Sequence, residues 1–147
     1  MANLKRVSPA EAKQLVDEGW VYLDVRSEPE FAAGHPSGAQ NVPLMHAGQR
    51  GMTPNTDFLP MVEALYAKDA KLVLGCKSGG RSLRAAEMLT SAGYTSVVDQ
   101  RAGFEGARDA FGQLSEPGWS PAGLPVDTAM NGGSYVELKQ KAGGLRR

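Results

Sequence analysis

The chain has 147 residues, 16 Lys and Arg against 16 Asp and Glu, two histidines and one cysteine. That length suits one domain with a proper core and is short for two. Zero net charge asks for neither nucleic acid nor an anionic membrane as partner, and one cysteine excludes an internal disulfide or a cysteine-based zinc cluster.

Residues 4–7 read as a short edge strand. Ser8-Pro9-Ala10-Glu11 then opens a helix, with Ser8 as cap, Pro9 at the first helical position and Glu11 completing a capping box. Ala12, Leu15 and Val16 mark its inner face, and Gly19 stops it. Residues 20–26 form a second strand, apolar until Asp24. Asp24 and Arg26 stand at its C-terminal end, where open α/β sheets place ligands. They are either catalytic or loop anchors; with Glu30 nearby, a network holding loop ends at the mouth of a site is the favoured reading. His35, between Gly34 and Pro36, is a turn residue read as structural rather than as a general base. Residues 39–42 form a short strand leading to Pro43.

Residues 44–56 lack periodicity and carry Gly48, Gly51 and Pro54, so they are expected to be a loop. His46, Gln49 and Arg50 of this loop either face substrate or are solvated. A helix follows over 57–67, with Phe58, Met61, Val62 and Leu65 inward. Neither His35 nor His46 has metal-site spacing, and no metal or organic cofactor is expected.

Residues 72–76 are a continuous apolar run, the mark of a buried strand. The run ends in Cys76, followed by Lys77-Ser78-Gly79-Gly80-Arg81-Ser82 and by apolar residues at helical spacing as far as Ala92 and Gly93. The cysteine therefore sits where a strand turns into a helix N-terminus. Unpaired N–H groups and the helix dipole favour an anion there. Gly79 and Gly80 allow successive amides to curl toward one point, and Lys77 and Arg81 add positive charge. The thiolate is the nucleophilic form of cysteine, and all these features favour it. A buried, inert cysteine is the alternative, and the convergence of strand, glycines, cations and helix start argues against it.

A fifth strand follows at 96–99. From Asp127 the chain is expected to be a tail. A short helix near 135–141 offers Tyr135 and Leu138 for docking on the domain or on a second subunit, and frayed residues end the chain. No run approaches the ~20 apolar residues of a membrane span. No signal-peptide core opens the chain, and a reducing, cytoplasmic setting is expected. Strands near 4–7, 20–25, 39–42, 71–76 and 96–99 alternate with helices, which predicts an α/β fold with a largely parallel sheet. Right-handed crossovers would bring Asp24 and Arg26 beside the Cys76 loop.

The segment 76–82 resembles the active-site loop of the rhodanese family, sulfurtransferases that carry sulfur as a cysteine persulfide. It is most similar to single-domain members with a C-x-S-G-x-R-S loop. Residues 24–43, from Asp24-Val25-Arg26 through Glu30-Phe31, Gly34-His35 and Gly38-Ala39 to Asn41-Val42-Pro43, resemble the family's D-V-R-x-x-x-E-F-x-x-G-H-x-x-G-A-x-N-I-P signature. The chain departs from the family at 101–107, where G-G-x-x-x-W is usual: Ala102 replaces the first glycine and Ala107 stands in place of the tryptophan. Gly118-Trp119 through Gly123-Leu124-Pro125-Val126 resembles the closing W-x-x-x-G-L-P-V, so 108–117 is read as an insertion.

The resemblance implies a three-layer rhodanese domain over 1–126, with a central, mostly parallel five-stranded sheet flanked by helices and 127–147 as tail. It implies Cys76 as nucleophile and persulfide carrier. Lys77 and Arg81 would orient the donor's oxyanion end, while Ser78, Gly79, Gly80 and Ser82 complete the substrate loop and Asp24 and Arg26 support it. The donor would be a small molecule such as thiosulfate, the acceptor a thiol, a protein thiol or, in the laboratory, cyanide. Two rivals stand beside this reading. Phosphatase relatives share the fold but use a C-x5-R loop, against C-x4-R here. The other rival is a persulfide carrier or docking module dedicated to one protein partner.

Overall fold

The computed structural model describes residues 4–49 and 51–143. Strand β1 (Lys5–Val7) precedes α1 (Pro9–Asp17), β2 (Val21–Asp24), α2 (Glu28–Ala33), β3 (His35–Pro36) and β4 (Gln40–Asn41). Then come β5 (Met45–Gly48), β6 (Gly51–Pro54), α3 (Phe58–Leu65), β7 (Leu72–Gly75), α4 (Gly80–Ser91) and β8 (Val97–Gln100). The chain closes with β9 (Gly106–Arg108), β10 (Leu114–Pro117), β11 (Val126–Asp127) and α5 (Tyr135–Ala142).

Five strands form one sheet in the order β1-β8-β7-β2-β4, every neighbouring pair parallel. The expected α/β architecture is therefore present. Its central strand, β7, is buried along its whole length, as a strand covered on both faces must be. Side chains alternate between the faces. Leu23, Leu72 and Leu74 face α3, α4 and α5, whereas Tyr22, Val73 and Val98 face α1, Phe31 and Trp119. The register pairs Asp24 with Gly75 and Leu74 with Asp99, so the C-terminal ends of β2, β7 and β8 lie level along one edge.

Local chemistry explains the first helix. Ser8 N–H donates to Glu11 Oε1 at 2.8 Å and Glu11 N–H donates to Ser8 Oγ at 3.1 Å, the expected capping box. Ser134 and Glu137 repeat the arrangement at the start of α5.

Three regions differ from the sequence expectation. Residues 44–56 are not an irregular loop: β5 and β6 pair antiparallel from Met45–Pro54 to Gly48–Gly51. The β6 strand is exposed on both sides, so no burial alternation exists for the sequence to display. Arg50 lies outside the described residues. The segment 108–117 belongs to a second hairpin, β9 with β10. Its turn is set by Asp109, whose Oδ1 accepts the N–H groups of Phe111 at 2.9 Å and Gln113 at 3.0 Å. Beyond it, Trp119 returns to the core, donates from Nε1 to Pro125 O at 2.7 Å and meets Tyr22 edge-on at 5.3 Å.

The third region is the tail. β11 pairs with β3, and Tyr135 and Leu138 of α5 are buried in the same cluster as Leu23, Leu74 and Phe58. The folded unit therefore runs through Ala142, past the boundary expected at 126, and α5 docks on its own domain. Of the frayed end expected at 143–147, Gly143 caps α5 and residues 144–147 lie outside the described residues. Among the described residues no helix is long and apolar enough to cross a membrane.

Candidate active site

Cys76 follows the last residue of β7, and its approach is shaped by glycine. The Tyr22 hydroxyl occupies the space a Cβ at Gly75 would need, so only glycine lets β7 run past β2 here. After Cys76 the backbone turns through Gly79, whose φ of +105° is a left-handed conformation, and enters α4 at Gly80. The turn aims the Gly79 N–H at Cys76 Sγ, 3.1 Å away. The Ser82 hydroxyl lies 3.4 Å from the same sulfur. Cys76 itself is 2% exposed.

Distant elements hold this loop from behind. Phe104 N–H donates to Cys76 O at 2.7 Å and Glu105 N–H to Lys77 O at 2.9 Å. Gly103, at φ +72°, lies against the Lys77 carbonyl, and the Arg101 carbonyl fills the space beside Gly79. Arg6 of β1 donates from Nε to Asp99 Oδ2 at 2.7 Å and reaches Gly79 O with Nη2 at 3.4 Å. Sequence reasoning missed Arg6 and Asp99. One signal was present: Asp99, like Asp24, is a charge at the C-terminal end of an apolar strand. Burial raises the Asp99 pKa, with Ser82 and Arg6 working against the shift.

Asp24 and Arg26 form a buried pair at the mouth. Arg26 Nη2 donates to Asp24 Oδ2 at 2.7 Å and to Gly34 O at 2.7 Å, and the guanidinium lies 4.4 Å from the centre of the Phe104 ring. Burial opposes the Arg26 charge, but Asp24 outweighs it and keeps the cation charged. Asn41 Nδ2 ties the same strand end by donating to Asp24 O at 2.9 Å and Arg26 O at 2.8 Å. These contacts are those of a loop anchor.

Arg81 differs from the expectation of a cation open to the donor. Its Nη1 and Nη2 donate to Glu30 Oε1 and Oε2 at 2.8 and 3.0 Å, a bidentate pair linking α2 to α4. Glu30 also accepts from Ser27 N–H at 3.1 Å and Ser27 Oγ at 2.8 Å. Burial works against the Glu30 carboxylate, but Arg81 and Ser27 outweigh it and hold its pKa at about 2. Ser27-x-x-Glu30 is a capping-box spacing, and that was the available signal for this partner. Lys77 sits 3.8 Å from Glu105, both largely exposed, a loose surface pair. Lys77, Ser78 and Gly80 line a groove of about 480 Å³ with Glu105, Gly106 and Arg108.

His35 is pinned rather than poised. It stacks on Phe31 at 3.8 Å, with Nδ1 2.8 Å from Phe31 O and Nε2 3.0 Å from Ala129 O. Among the described residues no group of three or more His, Cys, Asp or Glu is placed to hold a metal ion.

The chain is similar to known proteins. The family model described as rhodanese-like domain matches residues 8–110. Thiosulfate sulfurtransferase 16, chloroplastic, from Arabidopsis thaliana is 40% identical over 120 residues, covering 82% of this chain and 90% of its own. Senescence-associated protein DIN1 from Raphanus sativus is 43% identical over 93 residues, covering 63% of this chain and 51% of its own, so the chain spans about half of that relative. The crystal structure of Rv0390 from M. tuberculosis superposes with a TM-score of 0.72 at 29% identity, covering 87% of this chain and all of that one.

Proposed function

The chain belongs to the rhodanese-like domain family and is a rhodanese-type sulfurtransferase, and on that premise we propose that Cys76 carries the sulfur from a donor such as thiosulfate to a thiol. The Cys76 thiolate attacks the outer sulfur of the donor. The sulfur–sulfur bond breaks, its electron pair leaves on sulfite, and a Cys76 persulfide remains. An acceptor thiolate, or cyanide in the laboratory, then takes the outer sulfur and frees the Cys76 thiolate. Covalent catalysis divides the transfer into two easier steps.

The observation that carries this reading is the Gly79 N–H directed at Sγ from 3.1 Å at the start of α4. That donor is already in place for a sulfur anion and needs no reorganisation during either half-reaction. Gly80 and Ser82 continue the cradle on the first turn of α4, and Lys77 is the exposed cation beside it. Arg81, paired with Glu30, contributes by joining the two loops and assists an anionic donor only when that pair opens. A phosphatase needs its loop arginine on the phosphoryl oxygens, which the Glu30 pair and the shorter C-x4-R loop both oppose.

The only cysteine of the sequence leaves no resolving thiol within the chain. The loaded persulfide should therefore wait for an external nucleophile. This favours ping-pong turnover, and it also suits a carrier dedicated to a protein thiol. A reducing, cytoplasmic setting fits a working thiol, though plant relatives are named chloroplastic or mitochondrial; fractionation of the native cell decides it. The central experiment is to incubate the protein with thiosulfate, desalt it and weigh it. The wild type should gain one sulfur atom on Cys76 and Cys76→Ser none. A wild type that gains no sulfur from any donor overturns the reading. Steady-state turnover with a small thiol separates the enzyme from a dedicated carrier.

A further inference from the structure

A pocket of about 580 Å³ on the far side of α2 takes no part in the chemistry at Cys76. Its walls are chiefly apolar, with Phe31, Ala32, Met130 and Val136 among them. Glu28 and Ala32 stand one turn apart on α2 and both face it, whereas Glu30, between them, turns the other way to pair with Arg81. The helix therefore separates this pocket from the Arg81 pair. Its volume is that of a small-molecule site, where apolar walls are combined with a few fixed polar groups.

The polar groups of this pocket include two acceptors without a donor. Asn41 is 1% exposed. Its Nδ2 spends both protons on Asp24 O and Arg26 O at the end of β2, and its Oδ1 has no partner. The amide oxygen and nitrogen diverge from Cγ, so Oδ1 is turned away from β2, to the side where Asn41 borders the pocket. A buried acceptor in this state is costly until a donor reaches it. Glu28 is half-buried in the same wall, and its carboxylate makes no hydrogen bond or ion pair among the described residues. No described lysine or arginine lines the pocket. Lys139 lies over the Tyr135 ring, 4.6 Å from its centre, and pairs with neither acceptor. Two helices start here, and a helix start ordinarily favours an anion. Both starts are already complemented from within: Glu30 accepts from Ser27 N–H at 3.1 Å and Glu137 from Ser134 N–H at 3.2 Å.

We propose that this pocket binds a small molecule made of a compact apolar body and a primary amine. The ammonium group has three N–H donors and one positive charge. It supplies the donor that Asn41 Oδ1 lacks and the counter-charge that Glu28 lacks, while the apolar body lies against Phe31, Ala32, Met130 and Val136. A carboxylate of the same shape would add a third acceptor to two that have no donor, and the pocket rejects it. An alcohol of the same shape offers one donor and no charge, and binds between the two.

The test is a titration of the full chain with 2-phenylethylamine, read from the methyl NMR signals of Ala32, Ala47, Met130 and Val136, with 2-phenylethanol and phenylacetate as isosteres. The amine should give saturable shifts centred on those methyls. The alcohol should bind about tenfold more weakly, the scale of one charge-assisted contact, and phenylacetate should not bind. Glu28→Gln, a change at a half-buried surface position, should lower the affinity for the amine to that for the alcohol. The absence of a saturable shift, equal affinity for the three compounds, or an unchanged amine affinity in Glu28→Gln overturns the proposal. So do shifts centred on Lys77, Ser78 and Arg108, which would place the amine in the groove beside Cys76. Cys76→Ser, which cannot carry sulfur, should bind the amine as the wild type does, so this site and the sulfur-carrier reading stand or fall separately.

Discussion

The loop at 76–82 and the hairpin of β9 and β10 line the same groove and are built on opposite rules. The loop is held by residues far away in sequence: Arg6 by one hydrogen bond to Gly79 O, Gly103 and the Arg101 carbonyl by close contact. The hairpin turn is held by itself, through Asp109 and through Arg108 Nη1 donating to Gly112 O at 3.0 Å, and its Phe111 is 88% exposed. The reacting sulfur is thus fixed by the whole sheet, whereas the tip of the hairpin answers to its own turn and only its base is tied back, through Arg101 donating to Glu116. Disturbance should be costly in the first and slight in the second.

The sharpest way to break the contrast is Gly79→Ala. The left-handed φ costs an alanine about 1–3 kcal/mol, and its Cβ would meet the Arg101 carbonyl. Moving the Gly79 N–H by an ångström should reduce sulfur loading on the order of a hundredfold. Single-turnover loading followed by mass checks it, and a rate equal to wild type would show that the loop's shape is dispensable.

A middle-sized effect is expected where the two loops of the mouth join. Removing Arg81 with Arg81→Ala should cost about 1.5–3 kcal/mol of stability, the scale of charge-assisted hydrogen bonds in a shielded place. The pair also carries a pH signature. The Glu30 pKa is about 2 in the fold against about 4.3 in an unfolded chain. A depressed carboxylate contributes fully above the unfolded value, and the contribution fades as pH falls through that window toward 2. Denaturation midpoints from pH 5 downward should therefore drop more steeply in the wild type than in Glu30→Gln, and parallel slopes would show the pair to be solvated.

The smallest effect belongs to the hairpin. Phe111→Ser should change stability by no more than about 0.5 kcal/mol and leave loading with thiosulfate unaltered. A clear loss of turnover with a protein acceptor alone would instead make the exposed ring a contact for that acceptor.

The same contrast explains what the sequence discloses. The Ser8 capping box, the apolar run into Cys76 and the charge at Asp24 are local signals, and each stands where expected. The Arg6–Asp99 pair spans 93 positions and the Arg81–Glu30 pair 51. No spacing rule reaches that far, so Arg81 read as an open cation. The strands of β5 and β6 were invisible for another reason: β6 is exposed at every residue and β5 half-buries only the adjacent Met45 and His46, so the ribbon has no hydrophobic period. The short α5 looked marginal because its stability comes from docking, with Tyr135 and Leu138 buried.

That docking has a consequence for how the protein is made. β4 is the last strand at its side of the sheet, and its Asn41 N–H is taken by the Gly133 carbonyl at 2.8 Å. Strand edges with unfilled backbone groups recruit other chains. Residues 133–142 leave the ribosome after everything they cover, so once β8 (Val97–Gln100) has completed the sheet, β4 waits unguarded while roughly thirty further residues are synthesised, an interval of seconds at roughly 5–20 residues per second. Once the Gly133 turn and α5 lie down, the β4 side no longer offers a template for another strand, and β1 is left as the sheet's remaining outer strand.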